Sequence, residues 1–105
     1  MNFKIIWSNF SEKQLDEIYA YYEKESSPIV AAKIITEIIK ESEKLLSASF
    51  IGQKEELLKE RKIQYRYLVF KNYKLIYSVD EPNGLIKIAD VFDTRQNPLK
   101  LKRTK

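Results

Sequence analysis

Three runs of β-branched and aromatic residues, separated by two short polar segments, fill most of the second half of this 105-residue chain. The runs are IQYRYLVF from Ile63, YKLIYSV from Tyr73 and LIKIADVF from Leu85, with residues 71–72 and 81–84 between them. Short turns between such runs predict strands that follow one another as an antiparallel meander. A sheet of this kind has to bury one face, so the rest of the chain must supply a covering layer.

The first half of the chain predicts that layer. Residues 3–8 alternate as a short strand, and residues 11–25 predict a helix that begins with a capping box of Ser11 and Gln14. Ser27 is suited to cap a second helix that starts at Pro28 and fades near residues 47–49. The apolar positions follow helical spacing at Leu15, Ile18, Tyr19 and Tyr22 in the first helix, and at Ala31, Ile34, Ile35, Ile38 and Leu45 in the second. The short break predicts an antiparallel helical hairpin.

The element order predicts an α+β fold of two layers: an N-terminal strand, an antiparallel two-helix hairpin and a three-stranded antiparallel meander. Residues 50–62 carry a Gly within a charged cluster and predict a surface connection with at most one helical turn. We expect a single domain over residues 1–105, in which residues 98–105 form a basic C-terminal tail that becomes ordered only on binding.

Composition excludes several classes of chemistry. The chain has no Cys and no His, which removes thiolate and His-ligated metal sites, Cys-His nucleophiles and Ser-His-Asp triads. Its two glycines lie outside any phosphate-binding motif, so we predict no cofactor. The carboxylates Glu55, Glu56 and Glu60 lie among cations and predict a solvated ion-pair surface, whereas Asp90 and Asp93 predict a polar pair at a strand end rather than a metal site.

Charge is distributed unevenly along the chain. The formal net charge is +4, but residues 1–50 carry six cations and eight carboxylates, whereas residues 51–105 carry thirteen and seven. This imbalance favours an anionic partner for the second half, with a solubilising surface as the plain alternative. The apolar stretches are too short for a membrane span and the N-terminus does not resemble a signal peptide, so we expect a cytoplasmic protein without membrane contact.

The meander sorts its side chains between two faces if residues 71–72 form a two-residue hairpin. One face then carries Leu68, Phe70, Tyr73, Leu75, Tyr77 and Val79, and the other carries Tyr65, Tyr67, Val69, Lys74 and Ile76. Rings beside a cation suit RNA or a protein partner, since rings stack on bases and cations hold phosphate. The alternative is an amphipathic surface whose tyrosines extend their hydroxyls to water.

The segment YRYLVFKNYKLIYSVDE, the ending VFDTRQNP at residues 91–98 and the N-terminal Trp7-Ser8 before a two-helix pair resemble the RelE/ParE superfamily of toxins from bacterial type II toxin-antitoxin modules. The resemblance covers nearly the whole chain. It implies a small α+β toxin of the plasmid-stabilisation type, neutralised by a cognate antitoxin and able to form oligomers through that antitoxin.

The RelE-like branch of this superfamily implies a ribosome-dependent endoribonuclease that cuts mRNA. Its paired lysines fall on Tyr65 and Tyr67 here, its strand arginine on Lys74 and its last-strand arginine on Thr94 or Arg95. The chain has no His and no Tyr beyond Tyr77, so the C-terminal acid or base of those enzymes is missing. If the chain is a nuclease, the resemblance implies Lys74 and Arg95 as catalytic residues. Arg66 or Arg61 is then the stand-in for the missing cations, although parity sets Arg66 on the face opposite Lys74.

The ParE-like branch implies a toxin that binds DNA gyrase and needs no catalytic constellation. The depleted catalytic set and the Arg-Gln-Asn-Pro ending at residues 95–98 favour this branch over ribosome-directed mRNA cleavage. An inert relative that keeps only its antitoxin partnership is a third interpretation. The expected binding residues are Tyr65, Tyr67, Arg61, Lys100, Lys102 and Arg103.

Overall fold

In the computed structural model, which describes residues 2–104, a five-stranded sheet carries two helices on one face. The main elements are β1 (Lys4–Trp7), α1 (Asn9–Glu25), α2 (Pro28–Glu43), β2 (Gln53–Lys54), β3 (Arg66–Phe70), β4 (Tyr73–Asp80) and β5 (Leu85–Asp93). Between residues 2 and 104 there are also three short 3₁₀ helices, Lys44–Leu46, Glu56–Leu58 and Pro98–Arg103. The last two are called the 56–58 turn and the C-terminal helix below. No helix within residues 2–104 is long and apolar enough to cross a membrane.

The two helices begin at serine caps, one of which differs from the prediction. Ser27 caps α2 as expected, because its side chain accepts a hydrogen bond from the Val30 amide at 3.1 Å and Pro28 takes the first helical position. The predicted capping box at Ser11 is wrong: α1 starts at Asn9, and Ser8 accepts from the Ser11 amide at 3.0 Å. The true cap lies three residues earlier and sets the helix directly after β1.

The sheet runs in the order β1-β5-β4-β3-β2. The predicted antiparallel meander is confirmed as β3, β4 and β5, and the two-residue hairpin pairs Phe70 with Tyr73. Lys71 in that turn has φ 54°, the left-handed conformation that tight hairpins require. β1 pairs with β5 in parallel, and the two-residue β2, which no sequence pattern indicates, pairs antiparallel to β3.

A β-bulge in β5 links the sheet to the start of α1. Ile76 pairs with Asp90 and Tyr77 with Ile88, so Ala89 is the extra residue. The hydroxyl of Ser11, which is fully buried, donates to the Ile88 carbonyl at 3.2 Å, and Ser8 donates to the Ala89 carbonyl at 3.3 Å. The polar groups freed by the bulge are thereby satisfied by the first turn of α1.

The helices cover the face of the sheet that parity predicts. Leu75 and Val91 are almost fully buried against Ile34 and Ile38 of α2, and Tyr73 belongs to the same cluster. A second cluster on this face joins Tyr77, Ile86 and Ile88 to Leu45. The alternation along β4 and the helical spacing along α2 therefore meet in one core, as the two-layer architecture requires.

The opposite face is covered as well, contrary to the expectation of an open surface of rings and cations. Residues of the 56–58 turn and the C-terminal helix pack on it, with Leu58 and Leu101 3% and 1% exposed. The cluster they enter contains Tyr65, Ile76, Ala89 and Phe92. The expected tail is thus a short helix docked on the sheet through residue 104, because Leu101 buries an apolar side chain there.

Gly52 is required where the connection from the helices reaches β2. A Cβ at this position would lie 2.6 Å from the Tyr77 hydroxyl oxygen and 2.7 Å from the Tyr67 carbonyl oxygen. Its amide donates to the Tyr77 hydroxyl at 2.9 Å, and burial raises the pKa of Tyr77. Only a residue without a side chain lets the backbone pass this close to the sheet.

Candidate functional site

The lysine that a nuclease would use, Lys74, is held by a buried carboxylate. Its Nζ lies 2.9 Å from Oε2 of Glu55, whose side chain is 3% exposed. Oε1 of the same carboxylate accepts from the Leu57 amide at 3.3 Å, which fixes Glu55 at the start of the 56–58 turn. The charge of Lys74 is therefore offset inside the protein before any phosphate arrives.

The two tyrosines expected to stack on bases are also engaged. Tyr65 is 7% exposed and packs in the cluster with Leu58. The Tyr67 ring has the Lys74 Nζ over it at 4.1 Å, and its hydroxyl donates to Gln53 at 3.0 Å. Tyr65 is therefore closed to a nucleic-acid base, and Tyr67 is already engaged through its ring and its hydroxyl.

Arg95 lies on the helical side of the sheet, beside the carboxylate of Asp93. Its Nη2 and Nε donate to that carboxylate at 2.7 Å and 3.0 Å. These hydrogen bonds lower the pKa of Asp93 to about 2, and the same carboxylate raises the pKa of Arg95. The pair borders a cleft of about 190 Å³ that is also lined by Tyr21 and Tyr73.

Arg66 is directed at backbone oxygens at the far end of β3. Its Nη1 donates to the Gly52 carbonyl at 2.9 Å, and its guanidinium carbon lies 5.2 Å from the centre of the Phe50 ring. Pairing with Tyr77 sets Arg66 on the face opposite Lys74, as parity predicts. Lys74, Arg95 and Arg66 line three different clefts, so the structure does not bring the three catalytic candidates together.

Two arginines anchor the C-terminal helix. The Arg103 guanidinium donates to both carboxylate oxygens of Asp90 at 3.1 and 3.2 Å, and the Thr104 hydroxyl donates to the same carboxylate at 2.9 Å. Rings of Phe10 and Phe92 lie 5.4 and 5.3 Å from the Arg103 guanidinium carbon. Asp90 is completely buried, so these charge-assisted bonds are its replacement for water.

Arg61 also holds the C-terminal helix, through backbone carbonyls at its end. Its guanidinium donates to the carbonyl of Lys102 at 2.6 Å and to the carbonyl of Thr104. These acceptors are neutral, and they are the free carbonyls at the end of the C-terminal helix, where a cation is favourable. Arg61 and Arg103 therefore act within the structure as anchors rather than as freely presented binding residues.

The lysines near these anchors project into solvent. A cleft of about 620 Å³ is lined by Lys59, Arg61 and Lys102, and an adjoining cleft of about 250 Å³ is lined by Lys59, Arg61, Lys54 and Lys62. We call these five residues the basic surface. Lys100 is exposed on the same short helix as Lys102.

Two carboxylates that organise this region have roles the sequence analysis missed. The prediction that Glu55 belongs to a solvated ion-pair surface is wrong, because its side chain is buried and paired with Lys74. Asp90 and Asp93 do not form a pair: they lie on opposite faces of β5, each with its own arginine. A signal for Asp90 exists, since a carboxylate inside the apolar run of β5 has to find a buried partner. No comparable signal marks Glu55.

Comparisons with known proteins give a consistent result. The family model described as "ParE toxin of type II toxin-antitoxin system, parDE" matches residues 5–98. A chain of the solved structure titled "Chromosomal ParDE TA system from P. aeruginosa" is similar with a TM-score of 0.71 and 19% identity, covering 87% of this chain and 95% of that one. No curated protein matches the chain. The structural match confirms the predicted α+β fold.

Proposed function

This chain belongs to the ParE toxin family of type II toxin-antitoxin systems, and on that basis we propose that it arrests growth by binding DNA gyrase and does not cut RNA. It is the toxin of such a pair, and a cognate antitoxin is its partner. The family membership confirms the resemblance found in the sequence. Gyrase as the target, in preference to the ribosome with mRNA, is the proposal.

The observation that carries the proposal is the Lys74–Glu55 pair. A nuclease of the RelE-like kind uses cations to hold the scissile phosphate and to offset the charge that develops on it. Here the candidate cation on the meander has a carboxylate oxygen at 2.9 Å, so a phosphate would have to displace a buried anion. Arg95 is likewise held by Asp93. This arrangement opposes phosphate binding at both positions.

Proton transfer lacks a suited group as well. Cleavage through the 2′-hydroxyl needs a base with a pKa near neutrality. The chain has no His, and burial raises the pKa values of Tyr73 and Tyr77 above their ordinary range. The Tyr73 hydroxyl also lies 3.4 Å from the Tyr22 hydroxyl of α1, on the face of the sheet opposite Lys74. These tyrosines are therefore poor bases at neutral pH.

An inhibitor that acts by binding needs a presented surface instead of a catalytic constellation. The basic surface meets that need, because its lysines are exposed on segments that two anchored arginines hold against the sheet. We assign it, with Lys100 beside it, as the region that engages gyrase or the DNA that gyrase holds. Arg61 and Arg103 contribute by keeping that region in place.

The experiment is brief induction of the toxin in a bacterium without its antitoxin, followed by plasmid topology and primer extension on abundant mRNAs from the same culture. We expect growth arrest, loss of negative supercoiling or linearised plasmid, and intact mRNA. A matched variant, Lys74→Gln with Glu55→Gln, removes both charges and keeps a hydrogen-bonded pair. It should remain toxic, because the proposal gives Lys74 no role in killing.

Two outcomes would contradict the proposal. New 5′ ends inside translated codons that disappear in the Lys74→Gln, Glu55→Gln variant would establish a ribosome-dependent nuclease. Normal growth when the toxin is present in excess over a coexpressed antitoxin would identify an inert relative, because free toxin would then have no effect. Coexpression with the antitoxin is the control, since it should restore both growth and plasmid supercoiling.

A further inference from the structure

The basic surface carries a local excess of positive charge. Its four lysines form no ion pair with another residue in the described range 2–104. Among residues 2–104, the acceptors of the Arg61 guanidinium are the neutral carbonyls of Lys102 and Thr104, so no carboxylate in this range offsets its charge. Two exposed carboxylates, Glu56 and Glu60, line the larger cleft, and the buried Glu55, which lines the smaller one, is paired with Lys74. Five cations against two carboxylates leave a local excess of positive charge, whereas the N-terminal half with both helices is net negative.

This surface is one continuous strip held on a fixed support. The two clefts that define it share Lys59 and Arg61, and a third cleft of about 610 Å³ continues from Lys54. Beneath the strip, Leu58 and Leu101 are buried in one cluster, and Asp90 holds Arg103. Because the two supporting segments are already packed, the lysines can meet a ligand without first ordering the backbone.

The chemistry of the strip fits the backbone of a polyanion better than the bases of a single strand. Recognition of single-stranded RNA or DNA relies on rings that stack on exposed bases. The two tyrosines next to the basic surface are engaged within the protein, since Tyr65 is buried and Tyr67 has Lys74 over its ring and Gln53 on its hydroxyl. Binding to the phosphates of a duplex needs separate positive charges and no aromatic rings for base stacking, and the lysines supply such charges.

We infer that the basic surface binds the phosphate backbone of duplex DNA without reading its sequence. The inference rests on the proposed function, because the duplex concerned is the segment that gyrase holds. The toxin would then reach its target through two contacts, one to the enzyme and one to the DNA. Loss of the DNA contact should weaken gyrase inhibition and make it less sensitive to salt, because fewer phosphate contacts remain.

The test is duplex binding by the toxin alone, made by cell-free synthesis, with a fluorescently labelled duplex of about 20 base pairs and anisotropy recorded from about 50 to 200 mM salt. Each phosphate contact contributes a slope of about −0.9 to log K against log salt. Lys59→Gln with Lys102→Gln should reduce the slope by about 1.8. The same variant should weaken binding at about 100 mM salt roughly 60-fold.

Lys13→Gln with Lys33→Gln is the matched control, because both lysines are exposed on the helices and the change in charge is the same. This control should bind within about twofold of the unchanged protein if the strip is the site. Equal weakening in both double variants would overturn the inference, as would a single-stranded RNA that competes as well as the duplex.

Gyrase supercoiling assays separate this inference from the proposed function. Suppose that the toxin inhibits gyrase but that Lys59→Gln with Lys102→Gln leaves its affinity for free duplex unchanged. That result would overturn the DNA contact and leave the gyrase proposal standing. Salt-dependent duplex binding through the basic surface, by a toxin that does not inhibit gyrase, would support the DNA contact and overturn the gyrase proposal. Weaker gyrase inhibition by the same variant, with the helix control unaffected, would support both.

Discussion

Replacing Asp90 with Asn should loosen the C-terminal helix that carries part of the basic surface. The substitution keeps the size of the side chain and removes the charge that accepts three hydrogen bonds, two from Arg103 and one from Thr104. Breaking a buried ion pair costs about 3–5 kcal/mol. The Arg103 side chain is 28% exposed and recovers part of its hydration, so we expect a loss of roughly 2–4 kcal/mol.

The assay is urea unfolding followed by circular dichroism, supported by a thermal melt. A loss of that size should lower the melting temperature by about 10–20 °C in a domain of this length. Arg103→Met keeps the apolar stem between Phe10 and Phe92 but leaves Asp90 buried without its cation. It should cost at least as much as Asp90→Asn, because the charge it strands is fully buried.

A double-mutant cycle tests the reasoning most sharply. The double variant Asp90→Asn with Arg103→Met removes both charges. Its loss in the free energy of unfolding should therefore be smaller than the sum of the two single losses, by about 1.5 kcal/mol or more. Asp16→Asn, an exposed carboxylate of α1, is the control and should stay within about 0.5 kcal/mol of the unchanged protein. A coupling energy below about 0.5 kcal/mol would refute the claim that this ion pair holds the C-terminal helix.

Two further changes follow from local geometry. Gly52→Ala should destabilise the fold by about 1–3 kcal/mol in urea unfolding, because its Cβ would overlap the Tyr77 hydroxyl, 2.6 Å away. Arg95→Gln should raise the pKa of Asp93 from about 2 toward the ordinary value of about 3.9, as followed by carboxyl carbon shifts in an NMR titration. A depressed carboxylate pKa stabilises the fold above pH 4 and ceases to do so as the pH falls through 2, so this variant should lose stability near neutrality and match the unchanged protein below pH 2.

Each of these has an outcome that would count against it. An unchanged urea midpoint for Gly52→Ala would mean that the connection shifts away from Tyr77 at no cost. For Arg95→Gln, an Asp93 pKa that stays near 2 would show that the backbone amide of residue 95 and the Asn72 side chain lower it, rather than the guanidinium.

The parts of the fold that follow from local signals could be predicted. The Ser27-Pro28 cap needs only neighbouring residues, and the alternation along β4 fixes which side chains meet the helices. The cap of α1 could not be chosen locally, since Ser8 and Ser11 are both suitable. Their bonds to the carbonyls of Ala89 and Ile88, about 80 residues away in sequence, decide between them.

The second face of the sheet was mispredicted for a related reason. Leu58 and Leu101 lie in segments of mostly charged residues without helical or strand spacing, so nothing local indicates that they meet. The burial of Glu55 follows from the same packing, because the 56–58 turn carries it over Lys74. Candidate sites built on residue type alone therefore overestimated how many cations are free.

Supercoiling of relaxed plasmid by purified gyrase, with and without an excess of this toxin, tests the central claim most directly. We predict that the toxin blocks supercoiling or leaves linearised plasmid, and that the purified antitoxin restores the supercoiled product. Full supercoiling by purified gyrase at an excess of a toxin that arrests growth in cells would contradict the assignment of gyrase as the target.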